Sequence, residues 1–379
     1  MIIQSNRVWI RDAFVPCQLH VEEGRIASVR PYGDMEPDAD YGNKRIVPGF
    51  MDVHCHGYGG WDTNDATPDG LRNWTKHIPE EGVTSFCPTT ITQSEEVLTK
   101  AVANVARVVE EGYEGADIVG IHLEGPYLDQ FRKGAQPEQY CVKPSVEQFK
   151  HYEAASHDLI KLVTIAVEHD DDFALTHYMV DRGIVVSQGH SNATYEEAVM
   201  AIANGAMSMT HVYNGMSPFQ HREPGLVGTA YRFPDVYGEI ICDGHHSHFT
   251  SVYNFFMAKG RDHAVIITDS LMAKGLPAGT RMLFGGNLIE LQEDGTARLV
   301  EAGNLAGSTL HVNRALENVV EKAGVPFGYA INACTINPAR MLHLDDRKGS
   351  LTAGKDADIV VLDDNYDVIQ TYCKGQAQL

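Results

Sequence analysis

The stretch Pro48-Gly49-Phe50-Met51-Asp52-Val53-His54-Cys55-His56-Gly57 decides how the rest of the chain is read. Its apolar run has the character of a strand, and it ends in two histidines separated by a single residue. Alternate side chains of a strand point to the same face, so His54 and His56 share a face and Cys55 turns away. Two imidazoles at a strand's end, beside a glycine, make half of a metal site. Alone, the pair is equally the mark of ordinary polar strand-end histidines. The reading therefore turns on whether later segments deliver matching ligands.

Working outward, strand-like runs at 50–56, 83–89, 118–124, 160–167, 184–190, 207–213, 236–242 and 265–269 alternate with amphipathic stretches. The stretches at 94–111, 145–155, 195–203, 247–259 and 309–323 have helical periodicity. Eight strand–helix units in succession predict a (β/α)8 barrel of the TIM type rather than an open doubly wound sheet. No glycine-rich phosphate loop opens any of the helices, which counts against nucleotide binding. Residues 288–300, centred on Glu293-Asp294-Gly295, read as a hairpin inserted after the eighth strand. Short β segments at 7–10, 18–21 and 25–29 find their counterparts only at 357–362 and 368–372. Each set is too short to bury a core alone, so the two termini are expected to pair. The expected division is a small β-sandwich domain from residues 1–47 with 346–379, and a catalytic barrel at 48–345.

A formal charge of −21 argues against nucleic acid and anionic membrane surfaces as partners, though not against a small anion held by a local basic cluster. No apolar run approaches the roughly 20 residues that span a bilayer. The N-terminal residues do not resemble a signal peptide. The seven cysteines are scattered, odd in number and without a Cys-x-x-Cys pair, the usage of a reduced compartment, so a cytoplasmic location is expected.

Barrel enzymes build their sites at the C-terminal ends of the strands. There the chain puts His54 and His56 on the first strand, His122 and Glu124 on the third, His190 on the fifth, His211 on the sixth and Asp269 on the eighth. Each has a bland alternative: Glu124 and Asp269 as caps, His190 or His211 as a packed rim histidine. Six such residues at five strand ends instead point to a shared catalytic cation with an open position for water. His122 lies on the same strand face as Glu124 and reads as a residue of the barrel layer. His77, His151, His157, His177 and His311 fall in probable helices and read as surface or packing residues.

The chain resembles the amidohydrolase superfamily and, within it, the N-acetylglucosamine-6-phosphate deacetylase family. The resemblance runs nearly end to end. It rests on the opening motif, His122-Leu123-Glu124-Gly125-Pro126, Gly189-His190-Ser191, Thr210-His211-Val212-Tyr213-Asn214-Gly215-Met216, Arg222-Glu223-Pro224-Gly225, Asp243-Gly244-His245-His246, Thr268-Asp269-Ser270 and Leu305-Ala306-Gly307-Ser308. The opening motif is common to the superfamily, whereas the strand-three carboxylate, the Arg-Glu-Pro-Gly loop and Leu-Ala-Gly-Ser are particular to the deacetylases. The resemblance implies Glu124, His190 and His211 as the principal metal ligands, His54 and His56 as the pair completing a second position, and Asp269 as the catalytic aspartate. It implies one or two divalent ions per subunit, Zn2+ or Fe2+, with Glu124 shared. His246 and Arg222 match phosphate contacts, the latter reaching the neighbouring subunit of a homodimer. Asn214, Gly215, Leu305, Ala306 and Gly307, with Ala135 and Gln136, match positions around the sugar phosphate. Gln136 stands where some members have histidine, and Gly215 where alanine is more usual. Strand four carries no inward lysine of the kind that bridges two metals in other members.

The expected reaction is hydrolysis of the N-acetyl group of a phosphorylated amino sugar, giving acetate and glucosamine 6-phosphate. Asp269 acts as general base and then acid, and His122 is a candidate to steady the oxyanion. Hydrolysis of another amide or cyclic amide, and a non-catalytic scaffold, are the competing readings. The first fits Arg222 and His246 less well, and the second fits the full set of ligands less well.

Overall fold

The computed structural model describes residues 1–379, and in it the two ends of the chain meet in one sheet. Its strand order is Gln376–Ala377, Val368–Cys373, Ile359–Leu362, Arg45–Pro48, Ile2–Ile10, Ala13–Glu22 and Arg25–Pro31, with Ala39–Asp40 beside Ile2–Ile10. The join between termini is antiparallel, Val360 opposite Val47 and Val361 opposite Ile46. Alternation along these strands sends Ile3, Leu19, Val21, Ile46, Ile359 and Val361 into a cluster of twelve buried residues, separate from the main core.

Most of the remaining strands are parallel. Phe50–Cys55, Val83–Thr90, Ile121–Glu124, Ile160–Ile165, Val185–Gln188 and Ser208–Met209 hydrogen-bond in that order as a curled half-barrel. Most of their residues are buried on both faces, which is why they read as continuous apolar runs instead of alternating ones. Gly238–Ile241 and Ala264–Ile267 form a second parallel pair. Hydrogen bonds lead into this pair from both sides: Met209 N to Tyr237 O (3.0 Å), Val212 N to Glu239 O (2.8 Å) and Asp269 N to His54 O (2.9 Å). Helices cover the outside. Ser94 caps Glu95–Glu111 through Val97 N, and that helix buries Leu98, Val102 and Val105 at helical spacing. Thr194 and Glu197 close a capping box on Tyr195–Ala203.

The structure departs from the sequence reading in several places. The run at 118–124 is split into Asp117–Ile118 and Ile121–Glu124, and the run at 207–213 keeps only Ser208–Met209, because the backbone turns out of the sheet at His211. The insertion after the eighth strand is a three-stranded antiparallel sheet, Arg281–Phe284, Asn287–Leu291 and Ala297–Leu299, not a single hairpin. The stretch at 309–323 is helical only over Val312–Glu317, continuing with π geometry over Asn318–Lys322. His157 lies beyond the end of a helix with φ of 50°, and His311 sits at the N-cap of one. Helices such as Phe327–Cys334 and Ile336–Met341 were too short for their periodicity to stand out.

Candidate metal centre

Glu124 ends its strand at the middle of the cluster, 2% exposed. Its Oε1 lies 3.1 Å from His211 Nε2, 3.2 Å from His190 Nε2 and 3.4 Å from His54 Nε2. Its Oε2 lies 3.4 Å from His56 Nε2 and accepts a 2.6 Å hydrogen bond from Gln136 Nε2. Asp269 Oδ1 is 3.1 Å from His56 Nε2 and 3.7 Å from His54 Nε2. Five residues from four further strand ends thus converge around one carboxylate, in two groups: Glu124 with His190 and His211, and Asp269 with His54 and His56.

Three of these residues are held in unusual backbone. His190, His211 and Asp269 are each separated by one residue from the end of their strands, with φ of 47°, 28° and 52°, the left-handed region that residues with a Cβ rarely adopt. Each such residue costs roughly 1–3 kcal/mol and persists where surrounding contacts over-determine it. His190 Nδ1 bonds to Arg132 O at 2.7 Å, and Asp269 is tied at both ends, by its N–H to His54 O and by Ser308 N–H to its own carbonyl (2.7 Å). Gly215 adds to the fit, since with φ of 59° an added Cβ would meet His190 Nδ1 at 2.8 Å. An alanine methyl here would crowd that imidazole.

Electrostatics follow from burial and proximity. Burial pushes the Glu124 carboxyl up, but the surrounding imidazoles, His54 and His190 foremost, outweigh it and hold it well below the ordinary range. Burial likewise opposes ionisation of Asp269, and the hydrogen bond to His56 with the charges of His54 and His56 brings it below its usual value. For His56, burial disfavours the charged ring, yet Asp269 and Glu124 raise it to about 9. Neither carboxylate has a lysine or arginine partner, and the Nε2 atom of His54, aimed at both, has no hydrogen bond. Buried carboxylates facing imidazole nitrogens, with no permanent cation among them, are the donor set of a Zn2+, Fe2+ or Mn2+ site, and the residues present fit such an ion.

The cluster floors a cavity of about 310 Å³. Its walls include Ala135, Gln136, Asn214, Gly215, His246, Leu305 and Gly307. Gly134, Phe284 and Asn304 were not anticipated, and Phe284 comes from the overlooked strand of the insertion, with its ring 5.4 Å from that of His56. The diglycine Gly285-Gly286 between two apolar runs was the available signal for that strand. Ala306 is fully buried behind the wall. His246 presents its ring to the cavity with Nδ1 2.6 Å from Asp243 Oδ2; burial disfavours its charge, but Asp243 raises its pKa overall. Arg222 is exposed in a separate cleft with Arg132 and Asn192, outside the cavity of its own chain.

His122 does not reach the cavity. It is fully buried, its Nε2 2.8 Å from Thr164 Oγ1, and burial with the charge of His54 holds its pKa well below the ordinary value. A neutral ring spent on a buried threonine cannot steady an oxyanion in the cavity, contrary to the expectation for His122. The sequence reading also missed Glu239, whose Oε2 is 2.9 Å from His54 Nδ1. A carboxylate within the otherwise apolar strand Gly238–Ile241 was the signal for it.

The amidohydrolase family pattern matches residues 45–377. The chain belongs to the amidohydrolase family. Among relatives, this amidohydrolase is 38% identical to the N-acetylglucosamine-6-phosphate deacetylase of Bacillus subtilis (strain 168), across 99% of the chain and 94% of the relative. It is 35% identical to the N-acetylgalactosamine-6-phosphate deacetylase of Escherichia coli O157:H7, across 95% and 94%. A solved structure of a Mycobacterium smegmatis N-acetyl-D-glucosamine-6-phosphate deacetylase mutant, in complex with N-acetyl-D-glucosamine-6-phosphate, superposes with a TM-score of 0.95 at 30% identity, covering 100% of this chain and 99% of that one. No helix is long and apolar enough to cross a membrane.

Proposed function

We propose that this amidohydrolase removes the acetyl group from N-acetylglucosamine 6-phosphate, giving glucosamine 6-phosphate and acetate. The observation that carries the reading is the Glu124 carboxylate ringed by four imidazoles, with Asp269 beside it, on the floor of a sugar-sized cavity. Full-length likeness to deacetylases of phosphorylated amino sugars supports it.

Glu124, His190 and His211 would hold one divalent ion and His54 and His56 a second, Zn2+ or Fe2+ being the best match to the donors. When bound, such a cation would polarise the acetyl carbonyl and lower the pKa of the attacking water toward neutrality. Asp269, its Oδ1 3.1 Å from His56 Nε2 on the floor of the cavity, would accept that water's proton. It then delivers the proton to the amine nitrogen, which leaves poorly unless protonated. His246, its charge favoured by Asp243, receives the phosphate. Asn214, Gly215, Ala135, Gln136, Leu305 and Gly307 position the sugar, with Ala306 behind them.

The protein acts as a homodimer in which Arg222 of each chain reaches the neighbouring chain's cavity. Phe131 and Phe219, 91% and 58% exposed beside the Arg132 and Arg222 loops, are large apolar groups that a dimer contact would cover. The catalytic unit is a closed (β/α)8 barrel over 48–345, which the hydrogen bonds from Met209, Val212 and Asp269 support. Residues 1–47 with 346–379 make a β-sandwich domain, supported by their separate core. A cytoplasmic location suits a phosphorylated sugar substrate and the seven unpaired cysteines.

Acetate release from N-acetylglucosamine 6-phosphate, N-acetylgalactosamine 6-phosphate and unphosphorylated N-acetylglucosamine tests the reading. The glucosamine phosphate is expected to turn over best, with kcat/KM for the unphosphorylated sugar lower by at least about a hundredfold, as befits loss of charge-assisted contacts. Preference for the galactosamine phosphate would move the assignment to the other epimer. Equal turnover with and without phosphate would overturn it.

A further inference from the structure

Glu239 is fully buried and projects from the seventh strand toward the first. Its Oε2 is 2.9 Å from His54 Nδ1 and 3.4 Å from the backbone N–H of His211, while Oε1 has no partner. It has no lysine or arginine in reach, and His54 is its one ion-pair partner. His122 packs its ring edge-on against His54 from another side, with centroids 4.5 Å apart at 81°. Glu239 lines none of the cavities described above, so it cannot touch substrate.

We propose that Glu239 is the positioning residue of the second cation position, acting through His54. The inference rests on the two-cation reading of the site. A carboxylate accepting a hydrogen from Nδ1 fixes that nitrogen as N–H and leaves the Nε2 lone pair free. That Nε2 is the atom 3.4 Å from Glu124 and 3.7 Å from Asp269. The same contact sets the ring's rotation, which the His122 edge then locks. His56 has no such support, because its Nδ1 is buried without a partner. Of the two histidines of the opening motif, His54 is therefore the one whose tautomer and direction are built in, and Glu239 is what builds them. Glu239 also touches the backbone of His211, so it spans both cation positions while contacting a ligand side chain of only one.

The test compares wild type, His54→Ala, Glu239→Gln and Glu239→Leu, each loaded with Mn2+ after chelation. Bound metal per chain is read by elemental analysis, and coupling between paired ions by electron paramagnetic resonance. Wild type is expected to hold two ions with a coupled signal, and Glu239→Leu to hold one, uncoupled, like His54→Ala. Glu239→Gln, whose amide oxygen still accepts from Nδ1, is expected to recover the second ion with affinity about 10- to 100-fold weaker than wild type. Two tightly held, coupled ions in Glu239→Leu would overturn the role of Glu239 while leaving the two-cation reading intact. One ion in wild type, unchanged by His54→Ala, would overturn the two-cation reading and this inference with it. Should Glu239→Leu fail to fold, Glu239→Gln decides alone, and wild-type affinity for the second ion in that variant would count against the proposal.

Discussion

Two buried charged clusters sit at opposite ends of the same strand. Near the start of Val83–Thr90, Ser85 pairs with Asp117; near its end, Thr89 pairs with His122. Around Asp117, Lys348 Nζ lies 3.1 Å from Asp117, 3.2 Å from Asp356 and 2.8 Å from Asp358, and Arg347 and Lys374 join them. Three carboxylates there meet three cations from the chain itself. Around Glu124, three buried carboxylates (Glu124, Asp269 and Glu239) meet only imidazoles. The first cluster is complete as folded and bolts the C-terminal segment to the parallel sheet. The second has no permanent cation of its own, only imidazoles that carry charge while protonated, and that contrast is the physical ground for reading it as a metal centre.

The largest effect that sharpens the contrast belongs to Asp269. Asp269→Asn keeps the shape of the side chain but cannot accept the proton, so kcat is expected to fall by about 10²- to 10⁴-fold. Metal content, measured in the same preparation, should stay near wild type. Undiminished turnover would remove Asp269 from the proton transfer.

At the other cluster, Lys348→Met removes the central cation and leaves Asp358 without an ion-pair partner, while Asp117 and Asp356 keep Arg347. Breaking a buried pair from one side costs about 3–5 kcal/mol, read as a lower unfolding midpoint in denaturant. The kcat of the molecules that remain folded should not change, and chelation should not deepen the deficit. A loss of metal in this variant would mean the two ends of the strand are coupled after all.

The pH dependence separates the clusters again. In the metal-free protein His56 has its pKa raised to about 9 from 6.5. A raised histidine stabilises the apo fold fully below 6.5, and that contribution fades as pH climbs through 9. The cation must displace the same proton, so metal affinity should strengthen across this window, by up to tenfold per pH unit for each proton released. Calorimetry at pH 7 in buffers of different ionisation enthalpy should register proton release, diminishing toward pH 9.5. An affinity flat between pH 7 and 9 would show that His56 is not displaced.

What the sequence disclosed about these clusters was unequal. The residues gathered around Glu124 were legible because each stands at the end of an apolar run, where a parallel strand delivers its side chain to one rim. Glu239 was overlooked because its strand position says nothing about which histidine packs against it. The left-handed backbone at His190, His211 and Asp269 was equally hidden, since nothing in those residue types demands it. The partners of Lys348 come from positions 117, 356 and 358, and an ordinary lysine near a glycine carries no mark of burial. Strand order followed from the alternation of elements. The insertion's extra strand did not, because Arg281–Phe284 is only four residues long and largely exposed.

The smallest expected effect tests how far the Glu124 cluster depends on neutral neighbours. Gln136 spans two loops, donating from Nε2 to Glu124 Oε2 at 2.6 Å and accepting at Oε1 from Thr92 N–H at 2.8 Å. The amide thus steadies the one oxygen of Glu124 that faces His56, without adding charge. Gln136→Ala leaves that oxygen to the cation and His56 alone, and it frees a buried backbone N–H at Thr92. Loss of such a supporting partner typically costs about 10-fold or more in metal affinity or activity. The decrease should fall on the ion nearer His56 and spare the one between His190 and His211, which metal release during graded chelation would resolve. Equal loosening of both ions would mean that Gln136 holds Glu124 as a whole instead of steering one oxygen, and the carboxylate would then be better described as pinned by its loop than divided between two partners.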